Sequence, residues 1–258
     1  MKIFKFISIS FFVILFSCVD DITNLETETN LQEITSYTEG NLTVKLYATT
    51  DLFVGYNSIT ARVKDSQGNS IEGDISVVPM MDMMNKSHTC PLEIEDSVLT
   101  DGEYSFNTVF VMPSSEMGSW HLDFTINKTE LSVPINVNQP ELSRLVSFNS
   151  IMDENTKYFV AYIDPQKPDV GQNDLEIAVF KKQTLMDWPA VTSLSFEVEP
   201  WMTSMDHGSP NNTAPVHTSK GHYKGTVNFT MTGDWQLRLT MKEHDQVCGT
   251  PYFDLYFQ

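Results

Sequence analysis

Apolar side chains recur at every second position through most of this chain, and that period constrains the fold more than any other feature. Leu42, Val44, Leu46 and Ala48 alternate with polar neighbours, as do Ile59, Ala61 and Val63. The pattern returns in Tyr104, Phe106, Phe110 and Met112, in Trp120, Leu122, Phe124 and Ile126, and in Leu131, Val133, Ile135 and Val137. Successive side chains of a strand point to opposite faces, so a period of two marks strands with one face in a core and the other in water. No stretch after residue 20 offers the period of an amphipathic helix. The expectation is an all-β fold.

The strands come in two sets. Val54-Gly55-Tyr56-Asn57 matches Val170-Gly171-Gln172-Asn173, and Pro79, Met81 and Met84 match Pro200, Met202 and Met205. Gly102 and Tyr104 match Gly221 and Tyr223, and Phe110 and Met112 match Phe229 and Met231. Gly118-x-Trp120-x-Leu122 then matches Gly233-x-Trp235-x-Leu237, with offsets of 115 to 121 residues throughout. Ordered matches at a nearly constant offset mark an internal duplication. Each copy is long enough for roughly seven short strands, which fits two tandem immunoglobulin-like β-sandwich domains, residues 41–138 and 141–258, divided at Asn138-Gln139-Pro140. Trp120 and Trp235 are expected in the two cores, with Met112 and Met231 in phase beside them.

Ahead of the strands, Lys2 and Lys5 precede an apolar run from Phe6 to Phe16. The run is too short to cross a bilayer as a helix and reads as a secretory signal peptide over residues 1–17. Leu15-Phe16-Ser17-Cys18 resembles a bacterial lipobox. That resemblance implies cleavage before Cys18, its acylation, and a membrane anchor in the bacterial cell envelope. Residues 18–40, polar and without a sustained apolar period, read as a tether.

The formal charge is −18, and a leader that carries Lys2 and Lys5 but no acid takes it to −20 when removed. Such a surface repels phosphates, which excludes nucleic acid as a partner, and raises the local concentration of cations. No Ser-His-Asp, Cys-His or paired-carboxylate arrangement stands out, so a binding module is expected rather than an enzyme.

The candidate chemistry lies in two short windows that hold six of the thirteen methionines. Met80-Met81-Asp82-Met83-Met84 leads to His88 and Cys90, and Trp201-Met202-Thr203-Ser204-Met205-Asp206-His207 occupies the matching stretch. Both follow a proline and carry Asp, Ser and other polar residues, so they read as loops, where packing filler is not needed. Thioethers are soft neutral donors and imidazole is intermediate, so such a group selects Cu(I) over hard cations. The candidate ligands are Met202, Met205 and His207, then His217 and His222, in the second copy, and Met81, Met84 and His88 in the first. Lys86 stands where the second copy has His207, which weakens the first set. The alternative use of the same residues is adaptable protein contact. Cys90 is either a thiolate ligand or half of a disulfide with Cys248, the two cysteines left after lipidation.

These residues carry a resemblance to the YtkA-like (FixH-type) domain, an exported bacterial β-sandwich. The second copy resembles it through Pro200, Met202, Met205, His207, Gly221, Tyr223, Phe229, Met231, Gly233, Trp235 and Leu237. The first copy resembles it at Pro79, Met81, Met84, Gly102, Tyr104, Phe110, Met112, Gly118, Trp120 and Leu122, and departs at Lys86. The resemblance implies copper handling. The expectation is therefore an envelope copper-binding protein that passes Cu(I) to a transporter or a cuproprotein client. The alternative is a surface lipoprotein that uses the same loops, without metal, as an accessory to an outer-membrane receptor.

Overall fold

The computed structural model describes residues 31–258, and every regular element among them is a strand. The leader, Cys18 and the first part of the expected tether lie outside the described residues. The first half contributes β1 (Gln32–Glu39), β2 (Leu42–Ala48), β3 (Gly55–Asp65), β4 (Gly73–Met83), β5 (Lys86–His88), β6 (Leu92–Ile94), β7 (Val98–Leu99), β8 (Glu103–Phe110), β9 (Gly118–Ile126) and β10 (Thr129–Ile135). The second contributes β11 (Leu145–Asn149), β12 (Lys157–Asp164), β13 (Gly171–Lys182), β14 (Leu194–Met202), β15 (His207–Gly208), β16 (Thr213–Ser219), β17 (His222–Phe229), β18 (Gly233–Glu243), β19 (Gln246–Gly249) and β20 (Tyr252–Phe257).

The two halves are built alike. One sheet runs β1-β2-β3-β8-β6 in the first half and β11-β12-β13-β17-β16 in the second. The facing sheet runs β10-β9-β4-β5, with β7 on β4, and correspondingly β15-β14-β18-β19, with β20 on β18. Each half is an antiparallel β-sandwich of immunoglobulin-like type, and the alternation of apolar residues supplies the inner faces. Val44, Leu46, Ile59, Val77, Phe110, Trp120 and Phe124 fill the first core. Ile177, Phe196, Tyr223, Phe229, Trp235, Leu237 and Leu239 fill the second.

The repeated Val-Gly-x-Asn motif has a structural purpose. The Asn57 side chain accepts from the Phe53 N–H at 3.1 Å and donates to the carbonyls of Phe53 and Gly55, each at 2.8 Å. Asn173 makes the same three bonds to Asp169 and Gly171. Gly55 and Gly171 sit at φ of 138° and 107°, a region that side chains avoid. Each Gly-x-Asn thus starts a strand by tying down the turn before it.

Two readings of the sequence change. Residues 32–39, expected in the tether, form β1, which pairs with β2 from Gln32↔Ala48 to Glu39↔Leu42. Their side chains are mostly exposed, because β1 is an edge strand held by its ladder and by Ile34 and Tyr37 against the core, so the apolar period is weak. The methionine windows, expected as loops, are strand ends only in part: Met80–Met83 close β4 and Trp201–Met202 close β14, while Met84 and Met205 lie in the turns that follow. Pro79 and Pro200 lie inside β4 and β14, opposite Leu122 and Leu237. Across from Pro79, β5 reaches only Met81–Met83 and β7 only Gly73–Asp74. That open edge tolerates a residue without an N–H.

The sandwiches meet along a small apolar seam in which Val109 and Tyr56 pack with Ala161, Ile163, Ala178, Phe180 and Ala190. The connecting segment is stitched to the first sandwich by Val54 N–H donating to Asn138 O at 2.9 Å and Asn138 N–H to Leu52 O at 2.8 Å.

Candidate functional site

At the same end of each sandwich a histidine, two methionines and a tryptophan come together. In the first, Met81 on β4 lies directly across from His88 on β5 and, on its other side, from Trp120 on β9. In the second, Met202 on β14 lies between His207 on β15 and Trp235 on β18. Facing positions on adjacent strands hold side chains within contact of one another. The His88 and Trp120 rings meet edge to face with centroids 5.4 Å apart, and those of His207 and Trp235 do so at 5.8 Å. Gly118 and Gly233 make room for the thioethers: a Cβ at Gly118 would fall 2.5 Å from the Met81 methyl, and one at Gly233 would fall 3.0 Å from that of Met202.

The second methionine of each group follows the strand that ends in phenylalanine. The Trp120 indole N–H donates to the Met112 carbonyl at 2.9 Å, and that of Trp235 donates to the Met231 carbonyl at 3.0 Å. This bond fixes the backbone of each methionine beside its tryptophan, and in the first sandwich the Met112 side chain also meets His88. Met112 packs on the rim of the core, and Met231 is exposed, so neither is the plain core residue that its strand phase suggested.

Histidine chemistry is set by the backbone. His88 Nδ1 lies 2.7 Å from the Thr89 carbonyl, which can only accept, so Nδ1 carries the proton and neutral Nε2 carries the lone pair. That lone pair faces the Met112 sulfur at 3.3 Å. A thioether has no proton to offer either. Two acceptors therefore meet, and only a cation between them, a proton or a soft metal ion, makes the contact attractive. Bonds of about 2.0 Å to nitrogen and 2.3 Å to sulfur, the lengths found at zinc, set the donor atoms about 3.5 Å apart at a tetrahedral angle. The observed spacing is close to that. His207 repeats the backbone half of this arrangement, with Nδ1 donating to the Gly208 carbonyl at 3.0 Å. The donor chemistry at Met81, His88 and Met112 thus fits a Cu(I) ion, and Met202, His207 and Met231 offer the same donor types in the second sandwich.

Other candidates lie elsewhere. Met84 and Met205 are 79% and 59% exposed at the hairpin turns, whereas Met81 and Met202 are buried. The strands end before Met84 and Met205, which leaves both in turns outside the core. His217 lies on β16, in the opposite sheet, with its ring against Tyr223 at 5.3 Å. His222 is engaged between the sandwiches: its Nε2 bonds Glu93 at 2.9 Å and its Nδ1 bonds Glu176 at 2.7 Å. Tyr56 donates to the second oxygen of Glu93 at 2.8 Å, and Lys224 pairs with Glu176 at 3.0 Å. Burial opposes the imidazolium, but the bonds and charges of Glu93 and Glu176 outweigh it and raise the His222 pKa above its ordinary value. Both ring nitrogens are occupied, so His222 is a clamp between domains rather than a ligand.

His88, not Lys86, is the counterpart of His207, since both face the buried methionine across a hairpin. The first hairpin is simply two residues longer. A falling repeat offset, 121 at Met84/Met205 and 119 at Gly102/Gly221, was the signal for that insertion. Both cysteines are free and buried in separate cores, so they do not pair. Burial pushes the Cys90 thiol up to about 12, against a partial offset from Thr108, and so removes it as a ready thiolate. Among the described residues no group of three His, Cys, Asp or Glu side chains forms a harder metal site.

Fold and site together define a tandem β-sandwich protein with a His-Met-Met-Trp group in each sandwich. The family model described as YtkA-like matches residues 152–240, from just ahead of β12 into β18 of the second sandwich. Among solved structures, domains 5-6 of the S-layer protein SbsC are similar at 15% identity and a TM-score of 0.32, over 88% of this chain and 97% of that one. The Escherichia coli adhesin FdeC is similar at 15% and 0.28, over 85% and 65% of the two chains. The Yersinia pseudotuberculosis adhesin InvE is similar at 13% and 0.27, over 85% and 60%. No curated protein matches.

Proposed function

We propose that this chain is a copper-binding protein of the bacterial envelope that carries one Cu(I) ion in each sandwich and passes it to a transporter or a cuproprotein. The observation that carries this reading is the His88 Nε2 lone pair held 3.3 Å from the Met112 sulfur, with the tautomer locked by the Thr89 carbonyl. In the second sandwich His207 Nδ1 likewise meets a backbone carbonyl, that of Gly208, and the Trp235 indole N–H likewise donates to the Met231 carbonyl. Neutral soft donors suit an ion that is handed on, because they leave its charge largely uncompensated. The indole edge beside each histidine adds a polarizable wall. The acidic surface would gather cations near the protein, and acylation at Cys18 would keep it at a membrane.

The test is a Cu(I) competition titration under reducing conditions. Two ions per chain are expected, falling to one in His88→Ala and in His207→Ala and to none in the double variant. Unchanged stoichiometry and affinity in the double variant would overturn the site.

A further inference from the structure

The two groups differ in one respect that the duplication does not explain. The connection between β13 and β14 spans residues 183–193, eleven residues, against seven (66–72) between β3 and β4. This longer loop belongs to the second sandwich but reaches the first one's site. The Thr89 N–H, next to His88, donates to the Leu185 carbonyl at 2.9 Å. The Trp188 ring lies 6.4 Å from that of His88, tilted by 51°. Trp188 is itself fixed edge to face on Phe159 at 5.0 Å, beneath the Lys182 ammonium at 5.6 Å. A crevice of about 260 Å³ runs along the junction between Thr89, Cys90 and Pro91 on one side and Met186, Asp187 and Trp188 on the other. His88 is buried as a result, while His207 is partly open.

We propose that Trp188 is a residue of the first site, contributed by the second sandwich, and that it closes His88 and its bound Cu(I) against exchange. The copper half of this statement rests on the function proposed above. The two sites then differ in access rather than in ligand type. The open one at Met202, His207 and Met231 takes up and releases its ion quickly. The covered one at Met81, His88 and Met112 holds its ion under an indole face, where exclusion of water and attraction of a cation to the ring slow departure.

Two readouts on the full chain test it. Without metal, carbethoxylation of each histidine by diethyl pyrocarbonate, followed by mass spectrometry, reports access. His207 should react at once and His88 slowly, and Trp188→Leu should raise the His88 rate alone. With Cu(I) bound, capture by a colorimetric chelator should be biphasic. His88→Ala should remove the slow phase, and Trp188→Leu should accelerate it about tenfold, the rate equivalent of a lost cation–ring contact with desolvation. Trp188→Phe, which keeps a ring, should retain most of the slow phase and serves if the leucine variant fails to fold. Equal reactivity of His88 in wild type and Trp188→Leu overturns the cover. A wild type that binds no Cu(I) while Trp188→Leu still exposes His88 overturns the copper reading and leaves the cover standing.

Discussion

The two sandwiches share strand order, the Gly-x-Asn turn, and a His-Met-Met-Trp group at the same end, yet one group lies under a neighbour's loop and the other meets solvent. Duplication thus kept the residue types and the hydrogen bonds that support them, while access is set by what packs outside. A residue's role in such a pair is read from its cross-strand partners first and from its exposure second.

The comparison can be broken most strongly at the indoles. Trp120→Ala and Trp235→Ala each empty a fully buried position and should lower the stability of their own sandwich by about 3–5 kcal/mol. Urea denaturation followed by circular dichroism measures this. A clearly larger loss for Trp120→Ala would show that the loop above it adds to the first core.

Next comes the clamp that joins the halves. His222→Gln leaves Glu93 and Glu176 without their shared imidazolium, and the expected loss is ~2–3 kcal/mol, below that for a fully buried pair. The raised folded-state pKa fixes the sign of the pH dependence. The contribution is whole below the ordinary histidine value of about 6.5 and is lost as pH rises through the folded value. Wild type should therefore melt lower as the medium turns alkaline from that point, and His222→Gln should not show that component. Parallel profiles in the two proteins would remove the clamp.

The smallest effect is expected at the exposed thioethers. Met84 and Met205 are both exposed, so Met84→Leu and Met205→Leu should change stability by no more than about 0.5 kcal/mol. Cu(I) affinity should stay the same. A loss of binding in Met205→Leu would restore it to the ligand set.

The architecture was legible in the sequence because both cores are written in a two-residue period and repeated at a steady offset. The site was half legible. Met81, His88, Met202 and His207 stand out by residue type, whereas Met112 and Met231, which also fit a strand phase, read as packing. Each accepts an indole N–H at its backbone carbonyl, a contact across strands that spacing along the chain does not reveal. His222 read as a ligand for the opposite reason, since its two glutamates come from β6 and β13 and meet only when both sandwiches have folded. The loop over His88 did leave a trace: the offset rises from 116 at Asn57/Asn173 to 121 at Pro79/Pro200, which places an insertion where Trp188 lies.

The bond from Thr89 to Leu185 ties the first site's histidine strand to the second sandwich, and thermodynamic reciprocity gives that tie a consequence. Whatever factor domain docking adds to the hold on an ion in the first sandwich, the ion must add to the docking. On the copper reading proposed above, a loaded chain would then be stiffer between its two sandwiches than an empty one.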